Sequence, residues 1–256
     1  MSNNKRETIY EAYKKYPLGK HEICQECQNK EELEGPVSIY YVGEKFESSE
    51  DTILFVGKTA ISEPEGTWIN DSFLDVSKFG EDSLDLNEAK STIRAYYNYT
   101  HEIIKRYYGT YEEGKKYVAL TNMVKCNNGS TDDTTHGLIK LNCITNLGVI
   151  WKEVEMLQPK RIVFYTNTAY DDLINDFIPE NCPNYKEIED DEQNCWWHRQ
   201  YYNENKTIIL DFLRTKHPQR KVKEEFVSKV VSWLNKTKIK GVTHTENPIE
   251  INFLKR

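Results

Sequence analysis

The chain alternates between short apolar runs and longer stretches in which apolar residues recur every three or four positions. The short runs are rich in β-branched and aromatic residues with few polar interruptions, which is typical of strands buried on both faces of a sheet. The longer stretches are typical of amphipathic helices with one buried face. The pattern predicts strands over residues 52–56, 117–120, 161–165 and 207–210, and helices over residues 8–15, 86–108, 138–157, 169–177 and 222–234.

Strands that alternate with helices along a chain form a parallel sheet covered on both faces. The sequence therefore predicts an α/β fold, a three-layer α/β/α arrangement around a central, mostly parallel four-stranded sheet. We expect residues 1–235 to form a single domain and residues 236–256 to form a polar C-terminal tail. Residues 62–85 form a predicted long loop rich in serine and acids, and the polar, aromatic segment 181–205 is open to interpretation as an insertion.

Composition argues against a membrane-spanning protein and against a disulfide-rich secreted one. None of the apolar runs in the 256 residues approaches the roughly 20 residues that a membrane-spanning helix needs. Residues 1–6 are polar and lack the apolar core of a secretory signal. Six cysteines are too sparse for a disulfide scaffold. We therefore expect the protein in the reducing cytoplasm.

Four of the cysteines form two well-separated pairs, Cys24 with Cys27 and Cys126 with Cys143. A pair spaced by two residues presents both sulfurs from one loop, and a second pair from a distant segment completes a four-sulfur site. Such a site takes zinc or an iron-sulfur cluster. The alternative is that these are ordinary buried thiols. We assign no special role to the remaining Cys182 and Cys195.

The net charge of -7 argues against a protein that coats nucleic acid without specificity, because neutralising phosphates needs an excess of lysine and arginine. One local cluster of cations nevertheless surrounds His217 and Pro218 between a predicted strand and a predicted helix. A charge run is usually a solvated surface. A helix N-terminus ordinarily favours acids, however, so cations there indicate an anionic partner. The cluster comprises Arg214, Lys216, Arg220, Lys221 and Lys223.

Candidate binding residues follow the predicted strands, in the loops 57–75, 122–126, 166–168 and 214–220. In parallel sheets, ligands bind outside the carboxyl ends of the strands. Gly57 stands where the first strand stops and permits close backbone approach. The Asn122 carboxamide offers an acceptor and a donor, so it can read the edge of a base with two hydrogen bonds. His217 lies in the last of these loops, among the cations.

These residues, taken in order, resemble the uracil-DNA glycosylase superfamily, and most closely its iron-sulfur class, often called family four. The resemblance covers the chain from Cys24 to about Leu234. The cysteine spacing and the Asn122-to-Cys126 motif are its specific parts, whereas a glycine after a strand and a His-Pro pair are individually weak. The matching segments are 55–57, 120–126, Cys143, 159–163 and 217–218.

The resemblance implies that Cys24, Cys27, Cys126 and Cys143 hold a structural [4Fe-4S] cluster, for which zinc is the alternative. It implies that Asn122 pairs with a base flipped out of DNA and that His217 supports the departing base. It also implies a monomer that needs no soluble cofactor, because the reaction consumes only water. Such an enzyme also needs an aromatic ring to stack on the base, for which Trp68 and Phe73 are candidates. The cations Arg214, Lys216, Arg220 and Lys221 then grip phosphates.

The sequence departs from the family where the catalytic acid is usually placed. Family-four members have Gly-Glu-Ala-Pro-Gly after the first strand, whereas this chain continues from Gly57 with Lys58, Thr59, Ala60 and Ile61. A lysine cannot replace the carboxylate that activates water. Another class of the superfamily draws its acid from farther along this loop, so Asp71 and Asp75 become the candidate catalytic acids. Gln219 stands where many relatives have serine.

The departures leave three hypotheses open. The first, which we favour, is a DNA glycosylase whose rebuilt loop, including Asn70 and Asp71, accepts a modified pyrimidine such as the hypermodified bases of phage DNA, in antiviral defence. The second is a uracil-DNA glycosylase of base-excision repair with a relocated acid. The third is a non-catalytic DNA-binding relative that has lost the acid.

Overall fold

The three-dimensional structure is a computed structural model. It describes residues 18, 21–30, 33, 36, 39, 41–49, 51–59, 84–85, 94–126, 137–175, 185–191, 196–202, 208–219 and 221–237. The predicted helix 8–15, nearly all of the loop 62–85 and the tail beyond residue 237 lie outside these ranges.

The centre of the fold is one seven-stranded sheet with the strand order β1-β3-β2-β4-β7-β6-β5. Its four inner strands, β3, β2, β4 and β7, pair in parallel. They are the four predicted strands, so the mostly parallel α/β sheet is confirmed. The strands are β1 (Tyr41–Val42), β2 (Ile53–Thr59), β3 (Val118–Val124), β4 (Arg161–Phe164), β5 (Tyr185–Asp191), β6 (Trp196–Tyr202) and β7 (Ile208–Arg214).

Three antiparallel strands widen the sheet beyond the predicted four. β1 pairs with β3 at one edge, and β6 and β5 extend the sheet from β7 at the other. Part of the segment 181–205, interpreted from sequence as an insertion, thus belongs to the sheet as β5 and β6. Its aromatic residues serve both faces, since Trp196 and Trp197 pack into cores on opposite sides.

Helices cover both faces of the sheet. Among the described residues, no helix is long and apolar enough to cross a bilayer. The helices are α1 (Glu22–Lys30), α2 (Ala95–Tyr108), α3 (Tyr111–Gly114), α4 (Gly137–Lys140), a π-helix (Leu141–Asn146), α5 (Val149–Leu157), α6 (171–175) and α7 (Lys223–Lys236), with short 3₁₀ turns at Phe46–Ser48, Lys115–Tyr117 and Thr168–Tyr170.

The predicted helix 138–157 is interrupted. α4 runs directly into the π-helix, and Gly148 then adopts a left-handed conformation with φ of 60° before α5 begins. Glycine tolerates this conformation because it has no Cβ. The apolar spacing continues across the break, so periodicity alone does not reveal it. The break gives Cys143 a π-helical setting, a distortion that is frequent at functional sites.

Two hydrophobic cores form because successive strand residues point to opposite faces of the sheet. In β2, Leu54 and Val56 join the core shared with α1, α4, α5 and the cysteines. Ile53 and Phe55 join the core shared with α2 and α7. The inner strands are apolar on both sides for this reason, which explains their unbroken hydrophobic pattern.

A buried cation lies at the amino ends of the parallel strands. Arg161, the first residue of β4, is 1% exposed and forms an ion pair with Asp51 at the start of β2. The hydroxyl of Tyr107, on α2, donates to both carboxylate oxygens of Asp51 at 2.9 and 3.0 Å. The arginine also contacts the Tyr107 hydroxyl at 2.9 Å. The network joins two strands and a helix at the edge opposite the candidate site.

Replacing Asp51 by alanine should destabilise the fold by about 2–3 kcal/mol, because it leaves the buried Arg161 charge without its carboxylate. Chemical denaturation measures the loss. The matched control is Glu112→Ala, which removes an exposed partner of Lys115 and should cost under about 1 kcal/mol. Equal losses of unfolding free energy in the two variants would show that the Arg161 network stabilises the fold no more than an exposed ion pair does.

Candidate functional site

The candidate site lies where the parallel strands end. Gly57 and Asn122 are register partners near the carboxyl ends of β2 and β3. The segments after β4 and β7 leave from the same edge, because all four strands run in parallel. The structure therefore brings the predicted strand-end residues Gly57, Asn122 and His217 to one edge of the sheet, the side on which parallel sheets bind ligands.

Gly57 is needed because the Asn122 side chain packs on it. A Cβ added at Gly57 would lie 2.2 Å from Asn122 Oδ1, which no real contact allows. Asn122 is only 6% exposed, and its carboxamide makes no hydrogen bond within the part of the chain that the structure describes. A buried amide in this state has its donor and acceptor available for a ligand.

Tyr96 is a site residue that sequence reasoning missed. Its ring carbon Cε2 lies 3.4 Å from the same added Cβ position at Gly57, so the ring and the Asn122 amide converge on one glycine. The Tyr96 hydroxyl lies 3.3 Å from the carbonyl oxygens of Phe55, two residues before Gly57 on β2, and Thr121, the residue before Asn122 on β3. The sequence predicts only a helix here, and the position of Tyr96 beside Gly57 is revealed by the pairing of β2 with β3.

The His217 loop continues from β7 in a defined geometry. The backbone N–H of Thr215 donates to the carbonyl of Phe164 at 2.8 Å, and the N–H of Asn167 donates to the carbonyl of Thr215 at 3.0 Å. These bonds tie the loop after β4 to the loop after β7. The Gln219 N–H donates to His217 Nδ1 at 3.2 Å, so in the neutral imidazole the proton is on Nε2. His217 is half-buried, and it lies two residues after Thr215, whose backbone these hydrogen bonds hold in place.

The predicted cation cluster divides into two groups. Lys216 is half-buried and Lys221 is exposed, and within the described ranges neither has a carboxylate partner. Arg214 is different: it is 4% exposed, and its Nε donates to Asp171 Oδ1 at 2.8 Å while its second nitrogen pairs with the other carboxylate oxygen. The guanidinium also lies over the Trp197 ring at 5.5 Å.

The prediction that Arg214 contacts DNA therefore needs correction. The strand predicted to end at residue 210 continues to Arg214, which places the side chain against Asp171 and Trp197 instead of in the loop. A buried, bidentate arginine stabilises the protein and is not available to a phosphate.

All four predicted cysteine ligands line one cavity. Cys24 and Cys27 come from α1, Cys126 follows β3, and Cys143 lies in the π-helix. The remaining wall is mostly apolar, formed by Leu18, Ile23, Pro36, Ile139 and Leu147 with the polar Gln28, Lys125 and Asn142. Three segments of the chain thus meet at one cavity, and the four-sulfur site stays a prediction.

Burial makes two of these thiols, those of Cys126 and Cys143, weaker acids. It raises the pKa of Cys143 to about 11 and that of Cys126 well above its usual range, and the neighbouring cysteines add to the effect. Among the described residues, no three His, Cys, Asp or Glu side chains are already grouped to hold a metal ion. The donor set still suits soft metals, because four cysteines line one cavity.

A hydrogen bond joins the cysteine cavity to the Gly57 loop. The Thr59 hydroxyl, at the end of β2, donates to the carbonyl oxygen of Cys126 at 2.9 Å. Lys58 is half-buried between Gly57 and Thr59. Gly57, two residues before Thr59, contacts Asn122. The ends of β2 and β3 therefore lie next to both the Asn122 carboxamide and the cysteine cavity.

A buried charge pair fixes β3 on the opposite face from Tyr96. The Lys125 ammonium contacts Glu153 of α5 at 2.8 and 2.9 Å and also bonds the Thr121 hydroxyl. The Thr121 hydroxyl lies 2.8 Å from Glu153. Desolvation lowers the pKa of Lys125 to about 7 and raises that of Glu153 well above its usual range. Thr121 and Lys125 flank Asn122 along the strand, so the pair holds Asn122 in place.

Several predicted site residues lie outside the described residues. They include both candidate acids and both candidate stacking rings. The full set is Asp71, Asp75, Trp68, Phe73 and Arg220, together with Cys182 and Cys195. Their roles stay predictions.

Comparison of the sequence with protein-family models and with curated proteins gives no match.

The contact between Gly57 and Asn122 can be tested by a double-mutant cycle. Gly57→Ala should cost about 1–3 kcal/mol of unfolding free energy, because its Cβ overlaps Asn122 Oδ1. In an Asn122→Ala background the same change should cost clearly less, since the obstructing atom is gone.

Thermal and chemical unfolding measure these differences. The control is Gly137→Ala, whose added Cβ meets nothing within 4 Å and should be nearly neutral. A Gly57 penalty that is unchanged in the Asn122→Ala background would disprove the packing of the carboxamide on the glycine.

Proposed function

We propose that the chain is a DNA glycosylase that hydrolyses the N-glycosidic bond of a flipped-out modified pyrimidine and leaves an abasic site. The observation that carries the proposal is the buried Asn122 carboxamide, packed on Gly57 at the strand edge from which the His217 loop leaves. The chain's resemblance to the iron-sulfur class of the uracil-DNA glycosylase superfamily supports it. The substrate is DNA, and the protein acts as a monomer in the cytoplasm.

Base recognition falls to Asn122. Enzymes that act on a base in DNA rotate its nucleotide out of the stack and read it in a pocket. The Asn122 carboxamide, which has no hydrogen-bond partner among the described residues, offers a donor and an acceptor to the base edge. Its orientation is set from two sides, by Gly57 and Tyr96 on one face and by the Thr121, Lys125 and Glu153 contacts on the other.

Departure of the base is assisted by His217. The base leaves as an anion, and a preorganised donor near the developing charge lowers the barrier. The Gln219 N–H occupies Nδ1, so the neutral ring presents its Nε2–H as the donor. Water must also be activated, and Asp71 and Asp75 in the rebuilt loop are the proposed acids for this step.

DNA is held by the cations of the same loop. Lys216 and Lys221 have no carboxylate partner among the described residues. Lys216 directly precedes His217, and Lys221 lies two residues after Gln219. Val222, which is 61% exposed, follows them at the N-terminus of α7. Arg214 is not part of this surface, because it pairs with Asp171.

The four cysteines are the proposed ligands of a [4Fe-4S] cluster that has a structural role. Their convergence on one mostly apolar cavity fits a thiolate-bound group, and so does the Asn142 amide that donates to Cys27 Sγ. The bound group would hold α1, the end of β3 and the π-helix together. Zinc is the alternative occupant, and it would be colourless.

The substrate is proposed to carry a bulkier base than uracil. Lys58 and Thr59 replace the acidic start of the family's first loop, and Thr59 is used to hold Cys126. The loop is thus rebuilt close to the base-reading residue, which supports a changed pocket. Hypermodified phage bases are the proposed targets, which makes antiviral defence the proposed role.

The test is abasic-site formation by anaerobically purified protein on DNAs that carry uracil, cytosine, hydroxymethylcytosine or glucosylated hydroxymethylcytosine, with alkaline cleavage as the readout. We expect cleavage of a modified-cytosine DNA. Asn122→Ala should lower kcat/KM by about 10²–10³-fold and His217→Ala by about 10²-fold. Asn235→Ala, on an exposed position of α7, is the control that should retain full activity.

Each other result has a distinct meaning. Cleavage of uracil DNA alone would make this a repair enzyme with a relocated acid. Silence on every DNA, with binding intact, would leave a non-catalytic DNA-binding protein. If Asp71→Asn or Asp75→Asn abolishes cleavage while DNA still binds, that residue is the acid.

The DNA surface gives a separate prediction. Lys216→Ala and Lys221→Ala should each weaken binding to any duplex and reduce the slope of log K against log salt by about 0.9, the value for one phosphate contact. Fluorescence anisotropy across a salt series measures both quantities.

Lys115→Ala is the matched control, because Lys115 precedes β3 at the opposite edge of the sheet. Its salt slope should equal that of the unmodified protein. Equal salt slopes for all three variants would show that the His217 loop does not contact DNA phosphates.

A further inference from the structure

Asn142 is a buried polar residue of the cysteine cavity that the family-like motif does not include. It precedes Cys143 in the π-helix, and its side chain is 3% exposed. The wider π turn places two consecutive residues, Asn142 and Cys143, in the wall of the same cavity. The backbone distortion and the polar side chain therefore occur at the same point.

The Asn142 amide is aimed at a sulfur. Its Nδ2 donates to Cys27 Sγ at 3.2 Å, across a separation of 115 residues in sequence. Asn146 Nδ2 donates to Asn142 Oδ1 at 2.7 Å, which fixes which end of the amide faces the thiol. A neutral thiol is a weak acceptor, whereas a thiolate is a strong one. A buried, aligned amide donor therefore suits a charged sulfur.

Few other groups can balance negative charge in this cavity. Lys125 is the cation in its described lining, and its ammonium is already held by Glu153 and Thr121. The Asn142 amide is an uncharged N–H donor that bonds a sulfur of this cavity, Cys27 Sγ. Such outer contacts tune the affinity and the potential of a metal site.

We propose that Asn142, aligned by Asn146, is the positioning residue that stabilises the metal-bound thiolate of Cys27 and so retains the cofactor. The inference rests on the proposed cysteine-ligated cluster, and it adds a pair of residues that set how firmly the group is held. Removing the donor leaves more electron density on the sulfur, which makes the reduced state less favourable. Loss of Asn142 thus has two consequences, faster cofactor loss and a more negative reduction potential.

The experiment compares Asn142→Leu, Asn146→Ala and Thr145→Ala in full-length protein purified without oxygen. Decay of the visible absorbance in excess iron chelator gives the rate of cofactor loss, and a redox titration gives the potential. Asn142→Leu should lose the cofactor about 10-fold faster and show a more negative potential. Asn146→Ala should change both in the same direction by less, and Thr145→Ala, an exposed neighbour in the same π-helix, should change neither.

Wild-type retention and potential in Asn142→Leu would overturn the inference while leaving the cofactor proposal intact. A wild-type protein without chromophore would overturn the cofactor proposal itself, and the inference with it. Should Asn142→Leu fail to fold, Asn146→Ala decides, because it keeps Asn142 and removes only its alignment. An unchanged potential in that variant would contradict the proposal.

Discussion

The register of β3 (Val118–Val124) against β2 (Ile53–Thr59) is the constraint on which the rest of the structure depends. It sets Gly57 opposite Asn122 and Thr59 opposite Val124. A slip of one residue would exchange the two faces of β3, so that Asn122 would point toward α5 and Thr121 toward Tyr96. The carboxamide, the buried charge pair and the cysteine that follows the strand would all be misplaced together.

Contacts on both faces enforce this register. On one side the Asn122 amide fits only because Gly57 has no side chain, and Tyr96 spans the carbonyls of both strands. On the other side Lys125 and Glu153 form a pair whose members are 1% and 0% exposed, with Thr121 between them. A buried ion pair of this kind contributes more to a unique arrangement than to stability, because its desolvation offsets most of its attraction. The hydrogen bond from the Thr59 hydroxyl to the Cys126 carbonyl oxygen then links the paired strands to the cysteine cavity.

The sequence predicts the framework because burial on two faces leaves an unbroken apolar run in each inner strand. The four parallel strands, the strand-end positions of Gly57 and Asn122, and the grouping of four cysteines all follow from local pattern and spacing. Residues that depend on partners distant in the chain do not. Arg214 is indistinguishable from a loop cation until Asp171 and Trp197 are placed beside it. Tyr96 has the spacing of a core residue, and its place beside Gly57 depends on the pairing of β2 with β3. The break at Gly148 is hidden because apolar residues continue on either side of it.

The Gly57–Asn122 contact and the cysteine cavity therefore lie side by side, joined by the end of β3. The measurement that tests this account most directly is the iron and acid-labile sulfide content of anaerobically purified protein, compared between wild type and Cys126→Ser. We predict about four irons and four sulfides per chain in the wild type, with loss of both in the variant. A stoichiometry of about one zinc per chain, or iron that remains bound without Cys126, would contradict it.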